Sequence, residues 1–237
     1  DPGVVTVSWE APATDVEGYP FDPEKCTYTL FKYEGGKLQP VVTGLEDLSH
    51  TFRALPENAP QAFIRYAVKA ISAKGEGQES YSDEIPVGPA YSIPWVESFK
   101  DLTLSYIFGV NYLQGMPSIM LTSAEAGGIN PQDNDGGFLM MEATNTADCV
   151  RMFTGKIDLS QASAPQFVCH VYNDNSNGKY NQNEISIQVS TDLGNTFQEL
   201  RHLVIGDHCA AEGAWNRVTA DLSAYKGQEI IVGWQCT

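Results

Sequence analysis

The chain has almost no 3.6-residue apolar period. In its place stand short segments in which apolar and polar residues alternate. Successive side chains of a strand point to opposite faces, so alternation builds a strand with one buried face, whereas a helix needs apolar residues three and four apart. Val5, Val7 and Trp9 alternate with Thr6 and Ser8, and Ile185, Ile187 and Val189 alternate with Ser186, Gln188 and Ser190. Tyr28, Leu30 and Tyr33, then Phe52, then Ile64, Tyr66, Val68 and Ala70 mark further strands, and Ile230, Val232 and Trp234 mark one near the end. Turn-forming stretches such as Glu34-Gly35-Gly36-Lys37 and Lys74-Gly75-Glu76-Gly77 separate them. Many short strands with turns between them predict an all-β protein of the sandwich or barrel kind.

At 237 residues the chain is long enough for two ordinary domains, each with its own core. Pro86, Gly88, Pro89, Ser92 and Pro94 form a short stiff connector, because proline fixes φ and disfavours helix before it. The expected domains are therefore 1–90 and 91–237. The formal net charge is −16, and each part carries 7 basic residues against 14 acidic in the first and 16 in the second. Binding nucleic acid or an anionic lipid surface needs clustered Lys and Arg, and neither part offers a basic face. No apolar run approaches the roughly 18 residues of a membrane span, so no membrane insertion is expected from this segment. Both ends look cut, which implies flanking domains of a longer chain.

Residues 1–90 resemble a fibronectin type III domain. The resemblance rests on the Val-Ser-Trp run ending at Trp9 with Pro12 after it, Tyr28-Thr29-Leu30, Leu55 before a turn, and Tyr66-Ala67-Val68-Lys69-Ala70 followed by Gly75, Gly77 and Ser80. It implies an immunoglobulin-like sandwich in which Trp9 lies between the sheets and Tyr66 forms a corner near Leu55. The first strand of that family is short or missing before Val4. Residues 91–237 resemble the jelly-roll modules grouped with MAM and cleaved-adhesin domains of secreted and cell-surface, often bacterial, proteins. The matching residues are Ile93 to Phe99, Asp135-Gly136-Gly137-Phe138, Gly155 to Ser160, Val189 to Phe197, Trp215 to Val218, Asp221-Leu222-Ser223 and Tyr225 to Gln228. This resemblance implies a galactose-binding-like β-sandwich and an extracellular or cell-surface location. A closing strand expected after Trp234 is missing or cut short at Thr237.

Asp133 and Asp135 in a Gly-rich loop, with Glu97 on the opening stretch, are the candidate metal ligands. Calcium takes six to eight oxygens, and an Asp-x-Asp-Gly loop supplies two carboxylates and nearby carbonyls in a short arc. The alternative is a turn that uses Asp and Gly for backbone reasons alone. Ser190 to Phe197 has the spacing of an Asp-box hairpin. A sialidase would need an arginine cluster, and the arginines are scattered, so the hairpin is expected to be structural, with Asp192 accepting turn amides and Gly194 left-handed. His202, His208 and Cys209 lack a zinc framework. The five cysteines have no metal-ligand spacing and leave any disulfide open.

The loop from Tyr172 to Asn183 has the aromatic and amide composition that stacks on sugar rings and binds their hydroxyls, although long exposed hairpin loops share it. Tyr172, Asn173, Asp174 and Tyr180 are its candidate ligand-binding residues. Trp215 and Trp234 are expected in the core. No catalytic constellation is present, so the chain reads as a non-catalytic binding or adhesion segment. Its jelly roll would recognise a glycan or extracellular protein, with the first domain as spacer. The alternatives are the accessory region of a secreted protease or glycosidase, and a purely architectural spacer.

Overall fold

In the computed structural model the described residues are 1–20, 22, 26–123, 128–142, 147–174 and 182–237. They form an all-β protein with eighteen strands, one four-residue helix at Ile205–His208 and short 3-10 turns. The chain divides into two compact units, Asp1–Pro89 and Ala90–Thr237.

The first unit contains β1 (Val4–Ser8), β2 (Cys26–Glu34), β3 (Lys37–Leu45), β4 (Ser49–Arg53), β5 (Ala62–Ser72), β6 (Gly75–Glu76), β7 (Ser80–Tyr81) and β8 (Ile85–Val87). Antiparallel β1 and β4 form one sheet, and β3-β2-β5, with β6, β7 and β8 each on β5, form the other. Alternation puts Leu30, Ile64 and Tyr66 on the inner face of the larger sheet, where they pack with Val5, Val7, Phe52 and Leu55. Trp9 is half-buried and packs on Tyr28, with ring centroids 5.5 Å apart. Tyr66 fills the core against Phe52, but its hydroxyl is buried without a hydrogen-bond partner among the described residues, so the corner hydrogen bond implied for it is not made.

The second unit contains β9 (Phe108–Gln114), β10 (Ser118–Thr122), β11 (Phe138–Glu142), β12 (Cys149–Thr154), β13 (Ile157–Asp158), β14 (Gln166–Asn173), β15 (Glu184–Ser190), β16 (Gln198–Val204), β17 (Ala214–Asp221) and β18 (Glu229–Cys236). The main sheet runs β16-β15-β18-β12-β9, with β13 also on β18. Opposite it lies the β14–β17 ladder, and β10 pairs with β11. Ile187 and Leu203 of the main sheet meet Val218 and Ala220 of β17, joined by Phe167, Cys169 and Val171 of β14. A second cluster of Ile157, Leu159, Val189, Leu222, Ile230 and Val232 continues this interior. Burial of these side chains is the main stabilising term, at roughly 1.5–3 kcal/mol for each large aliphatic. At the open edge Arg201 of β16 donates to the Thr219 carbonyl of β17 at 2.6 Å, tying one layer to the other. No disulfide joins any of the five cysteines.

Candidate functional site

The inner face of the main sheet is fixed by its apolar residues, which decides what the other face presents. On β15, Ile187 and Val189 point inward, so Ser186, Gln188 and Ser190 point the other way. On β18 the outward positions are Ile231, Gly233 and Gln235, and on β12 they are Arg151 and Phe153. Strand register then aligns Asn111, Arg151, Gln235, Ser186 and His202 side by side across all five strands. With neighbouring strands about 4.8 Å apart, this polar row is about 19 Å long.

The middle of the row is hydrogen-bonded together. Arg151 Nε donates to Gln188 Oε1 at 2.6 Å, and its Nη2 donates to Gln235 Oε1 at 3.1 Å. The Gln188 amide donates to both the Ser186 hydroxyl and Gln235 Oε1 at 3.2 Å. Ser186 Oγ in turn donates to Glu199 at 2.6 Å. His202 stands between Glu199 and Glu184, with one ring nitrogen 3.4 Å from each carboxylate. The amide nitrogen of Gln235 makes no hydrogen bond among the described residues.

Apolar side chains hold this arrangement in place. The Arg151 guanidinium lies over the Phe197 ring, 4.3 Å from its centroid, and Phe197 packs on buried Phe153 at 5.6 Å. Gly109 and Gly233 leave room for those rings: a Cβ on Gly109 would come within 2.3 Å of Phe153, and one on Gly233 within 2.9 Å of Phe197. Burial holds the Arg151 guanidinium below its ordinary pKa, and it makes no ion pair among the described residues. The Asp-box hairpin carries Phe197 onto the sheet. Asp192 accepts from the Thr196 hydroxyl at 2.6 Å, the Thr196 amide at 2.9 Å and the Ser190 hydroxyl at 2.7 Å. These bonds, the Thr196 hydroxyl foremost, hold the Asp192 carboxyl down at about 2. Leu193 and Gly194 are both left-handed, at φ 63 and 91°.

The residues singled out in the sequence fall elsewhere. Tyr172 lies on the outward face of β14 and packs against Trp215, its register partner on β17, at 5.3 Å. Trp215 also touches Phe138 at 5.8 Å and donates its indole N–H to the Asn130 carbonyl at 2.7 Å. It therefore occupies the face opposite Val218 and Ala220 and not the expected core, because its register is odd where theirs is even. Trp234 keeps the inward register and packs on Phe108. Asn173 faces inward at 1% exposure and donates to the Cys209 carbonyl, so it is closed to solvent. Asp174 is exposed just past the strand, and Tyr180 lies outside the described residues.

Glu97, Asp133 and Asp135 sit on two loops that meet. Ser98 Oγ donates to Asp135 at 3.1 Å, Lys100 Nζ is 3.5 Å from its other oxygen, and Asp133 accepts the Asp135 amide. Both Glu97 oxygens accept backbone amides, from Phe99 and Ser105. As placed, these carboxylates face N–H donors and an ammonium group, which does not suit a cation. No group of three or more His, Cys, Asp or Glu among the described residues is arranged to hold a metal. His208 caps locally, with Nδ1 3.0 Å from the Val204 amide, while Cys209 is fully buried.

No family model matches the chain, and no curated protein matches it. Among solved structures it is similar to one on carbohydrate-binding modules of the β-sandwich superfamily and their promiscuous specificity. That match has 12% identity and a TM-score of 0.32, covering 99% of this chain and 91% of that one. Another is CBM51-2 in complex with GlcNAc and INT domains from Clostridium perfringens ZmpB, at 10% identity and a TM-score of 0.25, covering 94% of this chain and 38% of that one. Scores this low carry no argument, so function has to come from the chain's own geometry.

Proposed function

We propose that residues 90–237 act as a non-catalytic carbohydrate-binding module, in which a neutral saccharide chain meets the solvent-reachable members of the row, Asn111, Arg151, Gln235 and His202, while buried Ser186 supports them from beneath. The observation that carries this reading is the continuity of that row across five strands. Sugar hydroxyls both donate and accept; the amides and the imidazole of the row offer both functions and the guanidinium donates, with Arg151 and Gln235 already oriented by hydrogen bonds to each other and to Gln188. Arg151 on Phe197 and the free amide nitrogen of Gln235 are the groups best placed to meet a ligand. In this reading the fibronectin-like and MAM- or cleaved-adhesin-like character of the two units, an extracellular location and flanking domains form one picture. Its support is the set of matching residues in the sequence.

The Tyr172–Trp215 pair, flanked by His170 and Arg217 on the same face of the β14–β17 ladder, is the competing surface. A glycan array followed by calorimetry separates the two. Loss of saccharide binding in Gln235→Ala with Tyr172→Ala unaffected supports the row; the reverse result moves the site to the aromatic pair. Binding to no saccharide rejects the module reading in favour of a protein ligand or a spacer.

We propose further that the loops carrying Glu97, Asp133 and Asp135 bind calcium after rearranging. Support comes from the oxygen-rich loop and its junction with Ser98. The ion would have to displace Lys100 from Asp135. A ligand that binds only the folded state raises the melting temperature. No rise on adding millimolar calcium after chelation rejects this proposal.

A further inference from the structure

The outer face of the larger sheet in residues 1–89 carries a second constellation, unrelated to the row above. Arg65, Ala67 and Lys69 occupy outward positions of β5, alternating with inward Ile64 and Tyr66. Tyr33 of β2 is the register partner of Arg65, and Tyr81 of β7 is the register partner of Ala67. The guanidinium of Arg65 is therefore flanked by two rings, 5.0 Å from the Tyr81 centroid and 5.8 Å from that of Tyr33. The rings stand 5.6 Å apart and perpendicular to one another. Arg65 Nε donates to the Ser82 carbonyl at 3.0 Å, which fixes the plane of the fork.

The state of the charges nearby sets Arg65 apart. Lys69, four residues along, is held by Glu79 at 2.8 Å and Glu76 at 3.2 Å, and Lys32 is held by Glu34 at 3.3 Å. Arg65 is exposed and makes no ion pair among the described residues. A guanidinium whose Nε is already used keeps its terminal nitrogens for a bidentate pair of N–H···O bonds, the geometry a carboxylate matches. Packing against the two rings reduces the side-chain freedom that binding would otherwise cost.

We propose that Tyr33, Arg65 and Tyr81 form a binding site for a saccharide bearing a single carboxylate, such as a uronic acid within an otherwise neutral chain. Three observations select that ligand. The chain's net charge of −16 repels polyanions at long range, while an isolated carboxylate close to a guanidinium is drawn in through a screened, short-range contact. β5 is flanked by β2 on one side and by β6, β7 and β8 on the other, so the strand that carries Arg65 has no free edge of its own for a peptide to extend, and β7, the edge strand beside it, is only two residues long. The platform of two rings and one cation is the size of one or two sugar rings, far below the roughly 800 Å² per partner of a specific protein interface. The unit expected to be a spacer is then a second point of attachment.

The test is calorimetric titration of the whole chain with cellobiouronic acid, which carries one carboxylate, and with cellobiose, its neutral counterpart. The acid binds at least tenfold more tightly than the neutral sugar. Arg65→Gln removes that difference, Arg65→Lys restores only part of it because the fork is gone, and Tyr81→Ala weakens binding at least threefold. Lys74→Gln, which deletes the same charge from a turn, stays within twofold of the parent. Melting curves confirm that each variant folds. Equal affinity for the two sugars, or tenfold selectivity unchanged in Arg65→Gln, overturns the proposal. Equal or tighter binding of an Asp- or Glu-containing peptide at Arg65 also overturns it and assigns the clamp to a protein partner.

Discussion

Gly109→Ala tests the packing beneath the polar row. The new Cβ would lie 2.3, 2.5 and 2.9 Å from the Cζ, Cε2 and Cε1 atoms of Phe153. Phe153 is only 5% exposed and is backed by Phe197 at 5.6 Å, so the ring cannot swing away without moving its neighbour. Overpacking of this kind costs about 1–3 kcal/mol. Against it stands the smaller entropy of an unfolded chain with Ala in place of Gly, which stabilises by about 0.4–1 kcal/mol. The steric term wins, leaving a net loss of about 1–2 kcal/mol, or about 2–8 °C in melting temperature for a domain of this size. Scanning calorimetry reads that shift. The double variant Gly109→Ala with Phe153→Leu separates steric clash from a general effect, because a shorter side chain gives the Cβ room. The pair is then less destabilised than the sum of its single variants, as contacting residues should be. Because Phe197 carries the Arg151 guanidinium, the single variant should also weaken the saccharide binding proposed for the row. An unchanged melting temperature in Gly109→Ala, or strict additivity in the double variant, refutes the reasoning.

The Asp192 carboxyl is held down to about 2 from an ordinary 3.8, so its contribution to stability is present above about pH 4 and is lost as the pH falls toward 2. Acid melts of Asp192→Asn should therefore show a shallower loss over that interval than the parent, and identical slopes would count against the hairpin geometry. In the first unit, Tyr66→Phe removes a buried hydroxyl with no partner among the described residues and should raise the melting temperature, an unpaired buried group costing about 1–3 kcal/mol. A fall on that substitution would show that the hydroxyl is bonded after all. The buried Tyr66 phenol is also pushed up to about 12, so stability is retained below pH 10 and declines from there toward pH 12, which alkaline melts of parent and variant compare directly.

The β class was legible because alternation is a local signal. Ile185, Ile187 and Val189 announce one buried face, and the structure buries it. The Asp-box was legible for the same reason, since every hydrogen bond that shapes it joins residues within a few positions. Asn173 misled because it sits in an Asn-rich stretch whose composition suggests a loop. The alternation Phe167, Cys169, Val171 in fact continues through it, and that register points it inward. Trp215 opens an apolar-alternating strand, which suggests the core, but its position three residues before Val218 sets it on the opposite face. The polar row left no local trace, since its members come from five strands and meet only through pairing. The one available hint is that Ser186, Gln188 and Ser190 are the polar half of an alternating strand, and all three are buried beneath their neighbours on that face.

The assembly of the row from positions as distant as Asn111 and Gln235 has a kinetic consequence. Contacts between remote parts of a chain form late and slowly, because loop closure must precede any gain from them. The row does not exist until β9, β12, β18, β15 and β16 have all docked in register, and β18 is the last of these five strands in chain order. Ligand capture would thus report complete folding of the unit, distinguishing a finished sheet from a collapsed intermediate of equal strand content.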